Sequence, residues 1–231
     1  MDFNIKNLWS VKIGGVEFWV TQTILNTWII MGILIAFAIF VRVKLNKFEE
    51  IPTGNFQNIV EALIEMFDNF VRKTAGDKLM YLGNWFFMVF FFILVSNLSG
   101  MVGGFRPPTA DWATTFAFAF ATFILIQAVG IRHRGVKYLK DFLKPHPLFF
   151  PLNLIGELAR PISLSFRLFG NVLAGMILMA LLYNLTPYYV RFIIPAALHA
   201  YFDLFSGALQ TYIFCVLGLT FIGAAAVTEE V

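Results

Sequence analysis

Residues 28–41 read WIIMGILIAFAIFV and residues 85–95 read WFFMVFFFILV, with no charged side chain in either. Each lies inside a longer uncharged stretch, Phe18 to Val41 and Leu79 to Phe105. Stretches of that length cross the hydrocarbon core of a bilayer, about 30 Å, as single helices. Working outward from them, Trp112 to Ile131 and Leu168 to Val190 are also uncharged, and Phe192 to Thr228 is interrupted only by Asp203. FAFAFATFILI, residues 116–126, alternates as a strand would. A lone strand leaves its backbone unpaired in lipid, so a helix is expected there too. The sequence therefore predicts an all-α polytopic membrane protein with about five membrane-embedded helices.

Composition agrees. Charged residues are 13% of the 231 residues, against about 25% in soluble domains. The net charge of +3 is too small to suggest a nucleic-acid partner. The one cysteine, Cys215, lies in an apolar run and reads as a small core residue, which excludes a disulfide framework or a thiolate metal site. Residues 1–20 hold polar side chains throughout and no compact apolar core before a small-residue cleavage site, so no cleaved signal peptide is expected. Repeats and low-complexity linkers are absent, and residues 1–231 read as a single integral-membrane domain.

One segment is of another kind. In NFQNIVEALIEMFDNFVRK, residues 55–73, the apolar Phe56, Ile59, Val60, Leu63, Ile64, Phe67 and Phe70 follow helical spacing. Glu61, Glu65, Asp68 and Arg72 fall opposite. That pattern predicts an amphipathic helix lying on a membrane surface or on a partner.

Basic residues orient the chain. Arg42, Lys44 and Lys47 follow the first span, Arg72, Lys73 and Lys78 precede the second, and Arg132, Arg134, Lys137, Lys140 and Lys144 follow the third. By the positive-inside rule these segments are cytoplasmic and the N-terminus is outside. The loops FRPPTADW and NLTPYYVR then fall outside, and Glu229 and Glu230 return to the cytoplasm.

The chemistry is expected where ionisable groups enter apolar helices. Arg167 lies within SLSFRLFGNVLAG, deep in the fourth span. An arginine near the bilayer centre costs roughly 2.5–3.5 kcal/mol on insertion scales, so it faces a polar cavity or a partner carboxylate, or snorkels to the interface. Ser163, Arg167 and Asn171 are spaced i, i+4, i+8 and form one polar line. His199, Asp203, Ser206 and Gln210 form a second line on the last span. The economical arrangement is a hairpin whose two lines face a shared, partly hydrated cavity. The plainer readings are a hydrogen-bonded core histidine at His199 and a pair partner for Arg167 at Asp203. Gly170, Ala174 and Gly175 allow a close helix approach, either within the hairpin or against a neighbouring subunit. The sequence offers no nucleophile–base set, phosphate loop, metal-spaced cluster or cofactor motif. One permanent cation, one carboxylate, one imidazole and several amides and hydroxyls suit the movement of a small cation.

ELARPISLSFRLFGNVLAG, together with PTAD after the second span and FSGALQTYIFCVLGLTF in the last, resembles subunit a of bacterial F-type ATP synthases. The resemblance implies a stator subunit that does no catalysis itself. It lies beside a ring of c subunits, held by the peripheral stalk b subunits, in the bacterial inner membrane. Two offset half-channels would pass H+ or Na+ to and from the ring carboxylates, coupling ion flow to rotation and ATP synthesis. The long hairpin of the last two helices would face the c-ring. Arg167 matches the essential arginine, Asn171 and Gln210 the polar residues beside it, and Ser163 a small polar residue one turn earlier. Asp203 matches the ionisable position of the outer half-channel. Glu157 and Arg160 match a supporting pattern nearer the cytoplasm. At Met176 many relatives carry Glu or His, so the outer path is expected to rely on Asp203, with His199 and water at hand. A self-contained secondary transporter with a mid-membrane Arg/Asp pair and a non-conducting scaffold are the competing readings. The first of them commonly shows internal repeats, which this chain lacks.

Overall fold

A computed structural model of the chain describes residues 7–13, 16–45, 48, 54–102, 105–185, 187 and 193–227. Strands β1 (Asn7–Ile13) and β2 (Val16–Thr21) are followed by α1 (Gln22–Leu45), α2 (Asn55–Ala75), α3 (Gly83–Leu98) and α4 (Trp112–Arg134). Then come the short α5 (Val136–Asp141), the long α6 (Phe150–Leu185), α7 (Ile193–His199) and α8 (Gly207–Ala226). Among the described residues five helical segments are long and apolar enough to cross a membrane: Gln22–Leu45, Asp77–Met101, Trp112–Arg134, Pro147–Leu185 and Ile194–Ala226. This is the all-α polytopic arrangement expected, and FAFAFA is helical within α4. The expected positions of the N-terminus, of Glu229 and Glu230, and of most of NLTPYYVR lie outside the described residues.

The chain gathers into two compact units. One holds Met1–Ile39, Phe91–Thr115 and Phe166–Thr211, and the other Phe40–Phe90, Phe116–Ser165 and Tyr212–Val231.

In the first unit, β1 and β2 form an antiparallel pair that the sequence reading did not anticipate. The residues between Ile13 and its partner Val16 are Gly14 and Gly15, a composition suited to a two-residue hairpin connection. Lys12 faces Glu17 across the pair at 2.7 Å. The Thr21 hydroxyl accepts from the Ile24 amide at 3.4 Å and so helps to cap α1. The buried face of α1 is Thr23, Asn26 and Ile30, at helical spacing, while Trp28, Ile33, Ile35 and Phe37 are exposed, as suits a lipid-facing helix. Thr23 donates to Asp111 Oδ2 at 3.1 Å and Asn26 to the Arg106 carbonyl at 2.8 Å, so two hydrogen bonds tie α1 to the loop before α4.

Within the same unit α6 and the last span run antiparallel. Asn171 meets Gln210, Gly175 lies against Phe202, and Tyr183 meets His199, so positions rise on one helix as they fall on the other. A Cβ at Gly175 would come within 3.4 Å of the Phe202 Cβ, so the glycine permits a close approach. The hairpin expected from the sequence is thus present.

In the second unit, α2 docks through Phe67 and Val71, with the Phe67 ring edge-on to Phe87 at 5.2 Å and to Phe90 at 5.8 Å. The buried strip is narrower than the predicted apolar face: Gln57 is buried on it, while Ile59 and Ile64 remain exposed. Gly218 of α8 lies against Phe86 and Thr122, where a Cβ would stand 2.9 Å from the Phe86 ring. The Arg160 guanidinium lies 5.1 Å from the Phe221 ring centre, a cation–π contact between α6 and α8. The helix carrying Arg160 begins at Phe150, well before the uncharged stretch from Leu168. It is 36 residues long, and its residues from Phe166 on belong to the first unit. Charge does not end it, because Glu157 and Arg160 neutralise each other at i, i+3 with a 2.6 Å ion pair. Pro161 lacks the amide hydrogen that would reach the Glu157 carbonyl, yet the helix continues through it.

Candidate functional site

Arg167 stands near the middle of α6, about 27 Å of helix from Leu185. It is exposed, and it enters no hydrogen bond or ion pair among the described residues. On the same helix Phe166, Ile177 and Leu178 are exposed as well. Among the described residues no carboxylate pairs with this cation. Asn171, one turn on, is also exposed and donates to Gln210 Oε1 at 2.7 Å. Gln210 is 3% exposed, and its Nε2 is buried without a hydrogen-bond partner among the described residues. Of the first polar line, Arg167 and Asn171 therefore share an open face in this unit. Ser163, exposed on α6, belongs to the other unit.

Asp203 does not pair with Arg167. Its Oδ2 lies 2.5 Å from His199 Nδ1, and His199 Nε2 lies 3.1 Å from the Tyr183 hydroxyl of α6. His199 and Asp203 are both half-buried. The other side of Asp203 faces Gly100, where a Cβ would stand 3.7 Å from Oδ1 and 3.1 Å from the Pro107 ring. A side chain at position 100 would press on the Pro107 ring and come into ordinary contact with this carboxylate. The segment Ala200–Ser206 is a π-helix, and its wider turn resets the phase between Asp203 and Gln210. A 3.6-residue count across the second polar line, as used above, does not fix which way Gln210 points.

Sequence reasoning missed Tyr183 and Asn97. Asn97, 3% exposed on α3, accepts from Thr109 Oγ1 at 2.7 Å and donates to the Gly207 carbonyl at 2.9 Å and to Thr211 Oγ1 at 3.3 Å. A Cβ at Gly207 would approach the Asn97 Cβ to 3.0 Å. One buried amide thus fastens the end of the π-turn to α3 and to the loop that faces Asp203. A lone buried Asn in an apolar helix was the available signal, since such a group needs partners. Replacing Asn97 by Leu removes those bonds and leaves the Thr109 hydroxyl without its acceptor. The expected loss is about 1–3 kcal/mol of stability, measured as a lower thermal midpoint of the detergent-solubilised complex.

In the second unit Glu157 accepts from Gln127 Nε2 at 3.3 Å besides pairing with Arg160, and Tyr138 donates to Gln127 Oε1 at 3.0 Å. Beside them a cavity of about 470 Å³ is lined by Arg134, Tyr138, Asp141, Asn153, Glu157 and Arg160, among others. Asp141 bonds Arg134 and lies 2.8 Å from Lys144. The Lys144 hydrogen bond and the neighbouring cations hold its carboxyl below the ordinary value. Burial, with help from the Glu157 charge, raises the Tyr138 phenol above its ordinary value. Among the described residues no group of three His, Cys, Asp or Glu could hold a metal ion.

The family model described as ATP synthase A chain matches residues 24–223. The chain belongs to the ATP synthase A chain family. Curated members agree along most of it. It is 37% identical to an ATP synthase subunit a of Moorella thermoacetica over 202 residues, 87% of this chain and 88% of the other. It is 35% identical to an ATP synthase subunit a 2 of Picosynechococcus over 213 residues, 91% and 88%. It is 34% identical over 225 residues, 90% and 75%, to a Propionigenium modestum protein named ATP synthase subunit a, sodium ion specific. Membership in the ATP synthase A chain family places the chain in a multi-pass membrane sector, in keeping with the five apolar helices.

Proposed function

We propose that this subunit a is the non-catalytic stator of a rotary membrane sector, passing H+ or Na+ to and from carboxylates on an adjacent ring of c subunits. The observation that carries this is Arg167: a permanent cation on an exposed mid-helix face, without a carboxylate partner among the described residues. Such a group is stabilised when a neighbouring subunit brings a carboxylate to it, and it blocks direct passage of another cation. Asn171 and Gln210 flank it and support the polar surface on which a ring carboxylate would be released or taken up, and Ser163 extends the line one turn earlier. Asp203, with His199 beside it, exchanges ions with the outer side. Glu157 and Arg160 shape the approach from the cytoplasm. The basic segments support an orientation with the N-terminus outside and the C-terminus cytoplasmic, in the bacterial inner membrane. Peripheral stalk b subunits and lipid headgroups are the partners of the amphipathic α2 and the basic run Arg132–Lys144. Purification in mild detergent tests the reading. A c-ring is expected to accompany the chain, and the chain alone in liposomes is expected to transport no ions. Ion transport by the isolated chain would make it a self-contained transporter and overturn the proposal.

A further inference from the structure

We infer that the cavity lined by Arg134, Lys144 and Arg160 binds the phosphodiester headgroup of one anionic phospholipid of the cytoplasmic leaflet. The inference rests on the orientation proposed above, which sets the basic run Arg132–Lys144 at the level of those headgroups. It replaces a diffuse attraction to lipid by one bounded site. The lining residues come from α4, α5, α6, α8 and the α5–α6 connection, and all belong to the second unit.

Charge decides the class of occupant. Among the described residues lining the cavity, Arg134, Lys144 and Arg160 stand against two carboxylates, Asp141 and Glu157. Asp141 takes Arg134 and Lys144 as partners, and Glu157 takes Arg160. One positive charge is left over, and a phosphodiester supplies one negative charge. Lys137 and Lys140, exposed on α5, add to the positive field. Donors remain as well. The Lys144 side chain is 62% exposed, and an ammonium has three protons, of which Asp141 takes one. Arg160 meets Glu157 through Nη1 and keeps further N–H groups for a phosphate oxygen. Arg134 Nε is buried and has no hydrogen-bond partner among the described residues, so this guanidinium too has a donor unused.

Space and apolar surface favour a lipid over a free anion. The cavity volume, about 470 Å³, lies within the usual range of small-molecule sites, about 300–1,000 Å³, and exceeds what a bare phosphate fills. At Gly156, on its wall, a Cβ would meet nothing within 4 Å. Leu152 lines the cavity and is exposed, as is Ile155 three residues on along α6. Leu148 and Phe149, just before α6, are exposed too. Inorganic phosphate gains nothing from such side chains, whereas an acyl chain buries them. A basic pocket between helices, on the cytoplasmic side and flanked by apolar surface, is the form that phospholipid headgroup sites take.

The test uses the assembled synthase in nanodiscs of phosphatidylcholine with a trace of phosphatidylglycerol that carries a photoreactive diazirine beside its headgroup. Illumination is expected to label this chain within residues 134–160, read by mass spectrometry of its peptides. Unlabelled phosphatidylglycerol is expected to compete, and added phosphatidylcholine or inorganic phosphate is not. Lys144→Gln is expected to lower labelling about fivefold, the effect of one basic residue near an anionic headgroup, and Lys144→Glu to lower it further. Gly156→Leu narrows the cavity without changing its charge and is also expected to lower labelling. It keeps the test decisive if the Lys144 variants fail to assemble. Undiminished labelling in the assembled variants, or equal labelling by a photoreactive phosphatidylcholine, overturns the site. Displacement by inorganic phosphate makes it a free-anion site and overturns the lipid assignment. Labelling is read whether or not the complex pumps, so Arg167→Ala is expected to leave it unchanged. Ion transport by the isolated chain would therefore remove the stator reading alone, and lost labelling specificity with normal coupling would remove only this site.

Discussion

In vesicles carrying Arg167→Ala, ATP-driven ion pumping is expected to fall to background while the complex still assembles. The side chain packs on nothing charged and makes no hydrogen bond among the described residues, so its removal leaves the hairpin contacts Asn171–Gln210 and Gly175–Phe202 in place. What it removes is the fixed charge. One elementary charge crossing 100 mV releases about 2.3 kcal/mol, so ATP synthesis must pool several ions, and a bypass dissipates each small contribution. Under the proposed function, a cation that cannot be neutralised by desolvation would guard against that bypass at every pH the membrane meets. Arg167→Lys should rescue poorly, because a lysine in this setting tends to shed its proton. Undiminished pumping by Arg167→Ala would make the residue an interfacial anchor only. Normal assembly with lost pumping separates the role of the charge from a folding defect.

The overall class was legible because lipid imposes a coarse rule. Runs such as residues 28–41 and 85–95 must be helices in a bilayer, whatever their neighbours do. The hairpin was legible for a similar reason, since two polar lines joined by a short connection have one economical arrangement. The start of α6 was not. Glu157 and Arg160 look like a boundary in a hydropathy reading, but their mutual ion pair lets the helix run on from Phe150. The β1–β2 pair was not legible because its strands are only seven and six residues long, and alternation over so few residues is a weak signal.

At the site, legibility stopped at the level of faces. Spacing placed Ser163, Arg167 and Asn171 on one line of α6, and all three are exposed. On the last span the π-turn of Ala200–Ser206 breaks the count, and no sequence period announces such a turn. The sequence offered Arg167 as a pair partner for Asp203, with His199 only at hand on the same helix. Proximity decides: i, i+4 spacing puts His199 within 2.5 Å of Asp203. Tyr183 and Asn97 could be found only once the helices were placed side by side, because each acts through a contact distant in sequence.

Asp203→Asn is expected to lower coupled pumping by at least about tenfold, a loss in the range of a positioned proton-transfer group. The substitution keeps the shape and accepts a hydrogen bond from His199, so the π-turn and the Asn97 anchor remain. An amide, however, cannot hold a proton or attract a cation as a carboxylate does. Asp203→Glu keeps the charge but pushes it one methylene further, in a site where Gly100 already lies beside the carboxylate. Partial recovery is therefore expected with Asp203→Glu and none with Asp203→Asn. Measured by the initial rate of ATP-driven pumping against assembled complex, wild-type rates for Asp203→Asn would show that no ion is exchanged at this position. Equal losses in both variants would instead place the requirement on the local fit around Gly100 rather than on the charge.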